Sequence, residues 1–320
     1  MMHFNIGTLI LLYPLYIYYL GYSVQFLGIA YAIVGGVNIV LRIPVGRFVD
    51  KFGEKLPLIF SIVLLSFSFL IFYLSEMTKQ HSQSLLILLG LNLSSASYDL
   101  LIPLSFSLIT SWAPNEKRDS IWGVTNTIAN VGIILGLLVS GYVANSFSYP
   151  EAFLLAIFNG FFALMFVLMI QPFERKPKGS CKAIEVSPRD ISWILKDRNT
   201  LILTLTAFLS ILAASAIAPY FSIYLMIKTK ASMQVMGIVW AFYYIGSVTF
   251  QIPGGKISSK IGRKTLILLG ETIMGLAVLS YVFTTSPLLF IILTAVRGAA
   301  SYTISPAFGA LIAFSKIPGG

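Results

Sequence analysis

Pro44-Val-Gly46-Arg47-Phe-Val-Asp50-Lys51-Phe-Gly53-Glu54-Lys55 and Pro253-Gly-Gly255-Lys256-Ile-Ser-Ser259-Lys260-Ile-Gly262-Arg263-Lys264 are two copies of one short polar stretch in an otherwise apolar chain. Gly46 aligns with Gly255 and Gly53 with Gly262, both at an offset of 209 residues. Each copy follows one long apolar run and precedes another. Each therefore reads as a tight basic turn between two membrane-spanning helices, and the chain reads as an internal duplication.

Composition supports that reading. Of 320 residues, 57% are hydrophobic and 11% charged, against about 25% charged in a soluble domain. Apolar runs of spanning length recur throughout. The net charge of +10 does not point to nucleic acid, because the basic residues are spread over alternate loops. A single cysteine, Cys181, excludes an internal disulfide. Residues 1–20 lack a basic leader and a small-residue cleavage site, so they read as the first span.

Ten spans are expected, near 4–20, 24–47, 56–75, 84–111, 120–146, 150–171, 200–227, 234–255, 265–284 and 287–314. Eighteen of the 22 Lys and Arg follow or end the even-numbered spans, and three (Lys79, Lys228, Lys230) fall on the opposite side. The remaining one, Arg297, lies within a span. The positive-inside rule then places the N-terminus and both duplicated turns in the cytoplasm of a multi-pass cell-membrane protein. Residues 1–172 form a six-helix bundle, 173–199 a cytoplasmic linker and 200–320 a four-helix bundle. In the linker Ser187-Pro188-Arg189-Asp190 reads as a helix start. Either a short amphipathic surface helix follows, with Ile191, Trp193, Ile194 and Leu195, or the segment leads straight into span 7.

The duplicated stretch resembles the loop signature of the major facilitator superfamily: a Gly, an Asp four residues on, a Gly three further, then basic residues. Gly46, Asp50, Gly53 and Lys55 fit; Glu54 departs, and Ser259 stands for the Asp in the second copy. The resemblance implies an all-α polytopic fold of parallel-repeat bundles, here six helices plus four, and secondary active transport by alternating access. It also implies twelve spans, of which the last two are not in this chain. In that family spans 1, 4, 7 and 10 line the cavity.

Polarity within the spans singles out candidates. Asn92, Ser95, Asp99, Ser107 and Thr110 fall within about 120° of one face of span 4 at about 100° per residue. A carboxylate near mid-span costs about 3 kcal/mol on insertion scales, so Asp99 is expected to face protein or water. Thr294, Arg297, Ser301 and Ser305 share a face of span 10. One reading makes Asp99 a proton carrier with Arg297 as its cationic partner or as an anchor for an anionic solute. The other makes it a static carboxylate held by neighbouring hydroxyls. Tyr13, Tyr16, Tyr98, Tyr220, Tyr243 and Tyr244 would suit an organic solute. Arg297-Gly298-Ala299-Ala300 resembles the family's Arg-Gly motif, usually on span 4, where Ser94 stands instead.

Spans 3 and 6 are almost wholly apolar and read as lipid-facing. Gly28, Ala32 and Gly36 on span 2, and Gly132, Gly136, Ser140 and Ala144 on span 5, read as seams for close helix packing. The span 5 run fits the family's antiporter signature only at Gly132, Gly136 and Gly141, with Leu137 where a Pro is expected, so generic packing is preferred.

In the turn, Gly53 is expected at positive φ and Gly46 at a close approach. Lys51 and Lys55, with Lys260 and Arg263 in the second copy, would hold the inner membrane surface. Asp50 would either cap a helix N-terminus or remain a solvated charge. Arg42 reads as a snorkelling cation. The histidines, His3 and His81, fall at or beyond the membrane edges, and no protease, hydrolase or phosphate-binding motif is present. No cofactor or metal is implied. The function expected is transport of a small organic solute, proton-coupled through Asp99, by symport or antiport. The alternative is a non-transporting remnant or a membrane assembly subunit.

Overall fold

The computed structural model describes residues 1–112, 118–169 and 198–314. The linker residues 173–197, with the expected amphipathic helix, lie outside the described residues. Ten α-helices make up the described chain: α1 (Met2–Tyr19), α2 (Val24–Phe52), α3 (Lys55–Ser75), α4 (Gln80–Trp112), α5 (Arg118–Ser146), α6 (Tyr149–Met169), α7 (Arg198–Thr229), α8 (Met233–Ile261), α9 (Arg263–Phe283) and α10 (Pro287–Phe314). Among the described residues nine helices are long and apolar enough to cross a membrane. The exception is α1, which carries His3, Asn5 and four tyrosines. It is nevertheless the core of the molecule: Leu11, Leu12, Leu15 and Tyr16 are wholly buried.

In a bilayer the helix backbone satisfies its own hydrogen bonds, so apolar faces can turn outward and polar groups inward. On α3, Leu56, Phe60, Val63, Phe67, Leu70 and Leu74 form an exposed stripe with steps of four and three. The opposite side carries Ser61, Ser68 and Ser75, seven residues apart and fully buried. Ser61 and Ser97 of α4 each donate to the other's carbonyl, at 2.9 and 2.8 Å. Ser68 lies 3.2 Å from the Tyr13 hydroxyl and Ser75 2.9 Å from that of Tyr16. Phe158, Phe161, Phe162, Met165 and Phe166 give α6 a similar exposed stripe. Spans 3 and 6 thus face outward.

The duplication is visible in the hydrogen bonds. Ser23 caps α2 by accepting from the Phe26 amide, and Ser232 caps α8 by accepting from that of Val235. Both helices end on a glycine whose amide donates one turn back, Gly53 to Val49 and Gly262 to Ser258, at 3.1 Å. The Tyr16 hydroxyl donates to the Phe72 carbonyl, and Tyr224 to that of Tyr281. In each pair the second residue follows the first by 208 or 209 positions.

The duplicated stretch is mostly helix. α2 continues through Pro44 and Gly46 to Phe52, and α8 through Pro253 to Ile261. The reversal is confined to Gly53 and Glu54 and, in the second copy, to Gly262. Gly53 has φ 77° and Gly262 φ 85°, as expected. The close approach assigned to Gly46 is not found: a Cβ there would meet nothing within 4 Å. It is Gly254 that packs tightly, its Cβ direction falling 2.7 Å from the Thr303 carbonyl oxygen. Lys55 reaches the Leu168 carbonyl in the last turn of α6 at 3.4 Å, and Lys51 lies over the Phe52 ring. Lys260 is exposed. The side chains of Asp50, Lys256 and Ser259 lie outside the described set, as does Gly255 beyond its place in α8.

The seams resolve unequally. On α5, Gly132 and Gly136 admit the backbone of α1 at His3 and Phe4. Gly141 admits α8, with its Cβ direction 3.4 Å from Gly237 Cα. On α2 only Gly28 makes a close approach, to the Tyr220 hydroxyl; Gly36 meets nothing within 4 Å and Ala32 is exposed.

Candidate functional site

α1, α2, α4 and α5 of the first unit and α8 and α10 of the second enclose a cavity of about 570 Å³. The N-terminal parts of α1 and α5 contribute His3, Ile6 and Tyr13, and Asn126, Asn130 and Ile133. Ser94, Ser95 and Tyr98 of α4 and Tyr31 of α2 form a second wall, and Tyr244, Gln251 and Tyr302 a third. The cavity lies toward the end of the molecule that carries the two glycine turns. At the opposite end Gly141 meets Gly237 and Gly28 meets Tyr220, bringing the two units together.

Glycines also fix how α8 and α10 cross. Gly298 lies against the Tyr243 backbone, and Gly246 against Ala295 and Ala299. The Arg297-Gly298 pair is thus explained physically. Gly298 lets α10 close on α8, and the arginine next to it is carried into an aromatic enclosure. Its guanidinium lies 5.9 Å from the Phe221 ring centroid and 5.6 Å from that of Tyr243, in the range of cation–π attraction. Arg297 Nη1 is buried with no hydrogen-bond partner.

Asp99 and Arg297 do not pair, which corrects the expected partnership. Asp99 turns toward α2. The Asn38 amide lies 2.6 Å from Ser95 Oγ and 3.2 Å from Asp99 Oδ2. Both contacts are satisfied when the amide oxygen accepts the Ser95 hydroxyl and the nitrogen donates to the carboxylate. The cation acting on Asp99 is Arg42, one turn beyond Asn38.

Of the expected polar face of α4, Ser95 lines the cavity and Asp99 does not. Asn92 Nδ2 bonds back to the Leu88 carbonyl of its own helix at 2.7 Å. Ser301 accepts from the Tyr243 hydroxyl at 3.3 Å and Thr294 lies 3.1 Å from that of Tyr281, both away from the cavity. The side chains of Ser107, Thr110 and Ser305 lie outside the described set. Tyr13, Tyr98 and Tyr244 reach the cavity. Tyr16 is instead in the core, Tyr220 at the Gly28 contact and Tyr243 against α10. His3, expected at a membrane edge, lines the cavity; the His81 side chain is outside the described set. Missed entirely were Asn126, Asn130 and Gln251. The first two stand four residues apart in an apolar run, which was the available signal.

A family profile described as Major Facilitator Superfamily matches residues 1–208 and 203–315. The chain belongs to that superfamily. It is 25% identical over 316 residues to the multi-drug resistance efflux pump PmrA homolog of Lactococcus lactis subsp. lactis, covering 95% of this chain and 74% of that one. It is 23% identical over 286 residues to the multidrug resistance protein MdtG of Klebsiella pneumoniae, covering 85% and 65%. Among solved structures, a D323A mutant of the nucleoside transporter NupG superposes with TM-score 0.76 at 13% identity, over 98% of this chain and 81% of that one. A D-xylose-proton symporter superposes with TM-score 0.68 at 16% identity, over 95% and 78%. The superfamily fold is thereby shown, in a multi-pass membrane protein. Secondary active transport is the function class that the family and its relatives support.

Proposed function

We propose that the protein moves a small organic solute across the cytoplasmic membrane by alternating access, with a proton carried by Asp99. The observation that carries this reading is the cavity between two repeat-related units, which among the described residues meet through glycine contacts at one end only. With the N-terminus and both glycine turns placed in the cytoplasm, the orientation that the distribution of basic residues favours, this is an inward-facing arrangement. Residues 1–172 and 200–320 are the two moving units, joined by the linker 173–199.

Asp99 suits a proton carrier by its placement. It lies at mid-helix, one position from the cavity residue Tyr98, and has the Asn38 amide as a donor and Arg42 as the cation acting on it. Loss of its charge would free Asn38 and Ser95, and Ser95 lines the cavity. Proton state and solute site would then be coupled through one amide. Arg297 serves as a fixed cation near the α8–α10 crossing.

The test uses proteoliposomes loaded with a pH indicator and solutes that raise the melting temperature of the purified protein. Solute addition should discharge an imposed pH gradient in the parent and not in Asp99→Asn. Unchanged proton-driven movement in that variant would end the assignment of Asp99.

A further inference from the structure

The repeat relation of 209 residues places Ser247 where the first unit has Asn38, and Gln251 where it has Arg42. The first unit's pair attends to a carboxylate. The second unit's pair is uncharged and faces the interior. Gln251 Oε1 is buried with no hydrogen-bond partner, and Ser247 lies beside the Tyr302 hydroxyl. Gln251 lines the cavity together with Tyr244, Tyr302, Asn126 and Asn130. An acceptor left unmade at such depth carries its desolvation penalty; turned toward the cavity, it would be satisfied by a donor that a solute brings. Tyrosine faces offer stacking surface. Among the described residues that line the cavity there is no Asp, Glu, Lys or Arg. Away from the N-terminal ammonium that acts on His3, a formally charged solute would lose hydration there without gaining a counter-charge.

We infer that the solute is uncharged, carries a flat aromatic or amide surface, and donates an N–H or O–H to Gln251. The inference rests on the transport reading above and adds the chemical class of the solute. Charge handling is thereby divided between the repeats: the first unit's Asn38, Arg42 and Asp99 serve the proton, and the second unit's Gln251 serves the solute.

One scaffold with three charges tests this. Binding of indole-3-carboxamide, indole-3-carboxylate and 3-(aminomethyl)indole to the purified full chain is measured by calorimetry, with 1-methylindole-3-carboxamide as the congener lacking the ring donor. The carboxamide should bind at least tenfold more tightly than either charged congener. Gln251→Leu should weaken it about tenfold. Gln251→Glu, which keeps the shape, should shift preference toward the ammonium congener. Equal or tighter binding of a charged congener to the parent, no binding by any of the four, or an unchanged affinity in Gln251→Leu would each overturn the inference.

Uptake of the same compounds into proteoliposomes separates the two readings. Preferential movement of a charged congener overturns the solute class and leaves transport standing. Preferential binding of the carboxamide without movement under a pH gradient leaves the solute class standing and overturns transport.

Discussion

Three glycines of the duplicated stretch differ in what they permit. Gly53 (φ 77°, ψ −168°) and Gly262 (φ 85°, ψ 145°) occupy backbone regions that side chains rarely enter. Alanine at either should cost about 1–3 kcal/mol. Gly46 sits in helix with open space beside it, so Gly46→Ala should leave stability unchanged or raise it by up to about 1 kcal/mol. Thermal denaturation of the three variants in detergent checks the ordering; a Gly46→Ala variant as unstable as Gly53→Ala would contradict it. A second residue effect lies outside the bilayer at Glu76, in the turn after α3. Burial, and secondarily the charge of Glu151, raise its pKa above the ordinary carboxylate value. The folded chain then holds that proton more tightly than the unfolded chain, so this group weakens stability as pH rises through its folded pKa. Glu76→Gln should therefore melt higher than the parent at pH 7, with the difference closing as pH falls below the carboxylate range.

Helices were legible in the sequence because length and hydropathy alone decide whether a segment spans. Most of their expected ends fall within a few residues of those found. What one sequence does not carry is each helix's rotation, which its neighbours set. Ser95 and Asp99 share a helix face, yet only Ser95 reaches the cavity, because α2 presents Asn38 and Arg42 to the carboxylate. Gln251 was overlooked because it lies two residues before Pro253, in a stretch read as approaching a turn; α8 continues past it as helix. The serines of α3 were hidden by their apolar surroundings, although their spacing of seven was readable. That column yields an element-level prediction. Ser61 and Ser97 bridge α3 and α4 reciprocally. Ser61→Ala should therefore cost about 0.5–1.5 kcal/mol, and adding Ser97→Ala should cost less than the sum of the two singles. Additive losses would show that the pair does not act as a unit.

Taken as a whole, the molecule has its two units joined by close glycine contacts at one end and a cavity toward the other. Alternating access requires the glycine contacts to part in every cycle, since the solute must pass through that end in one direction or the other. Gly141 on α5 and Gly237 on α8 are the place to test this. A Cβ at Gly141 would lie 3.4 Å from Gly237 Cα, so the two Cα atoms are at most about 5 Å apart, inside the limit of about 6.8 Å for a disulfide. In a Cys181→Ser background, Gly141→Cys with Gly237→Cys should cross-link under mild oxidation. Solute movement should stop in proportion to the cross-linked fraction and return on reduction. Because a Cβ at Gly237 would press on the Leu137 carbonyl, the reduced double variant is the reference: recovery of transport on reduction separates a locked contact from a damaged fold. If complete cross-linking left transport intact, the units would not separate at α5 and α8, and the cavity would have to empty by another route.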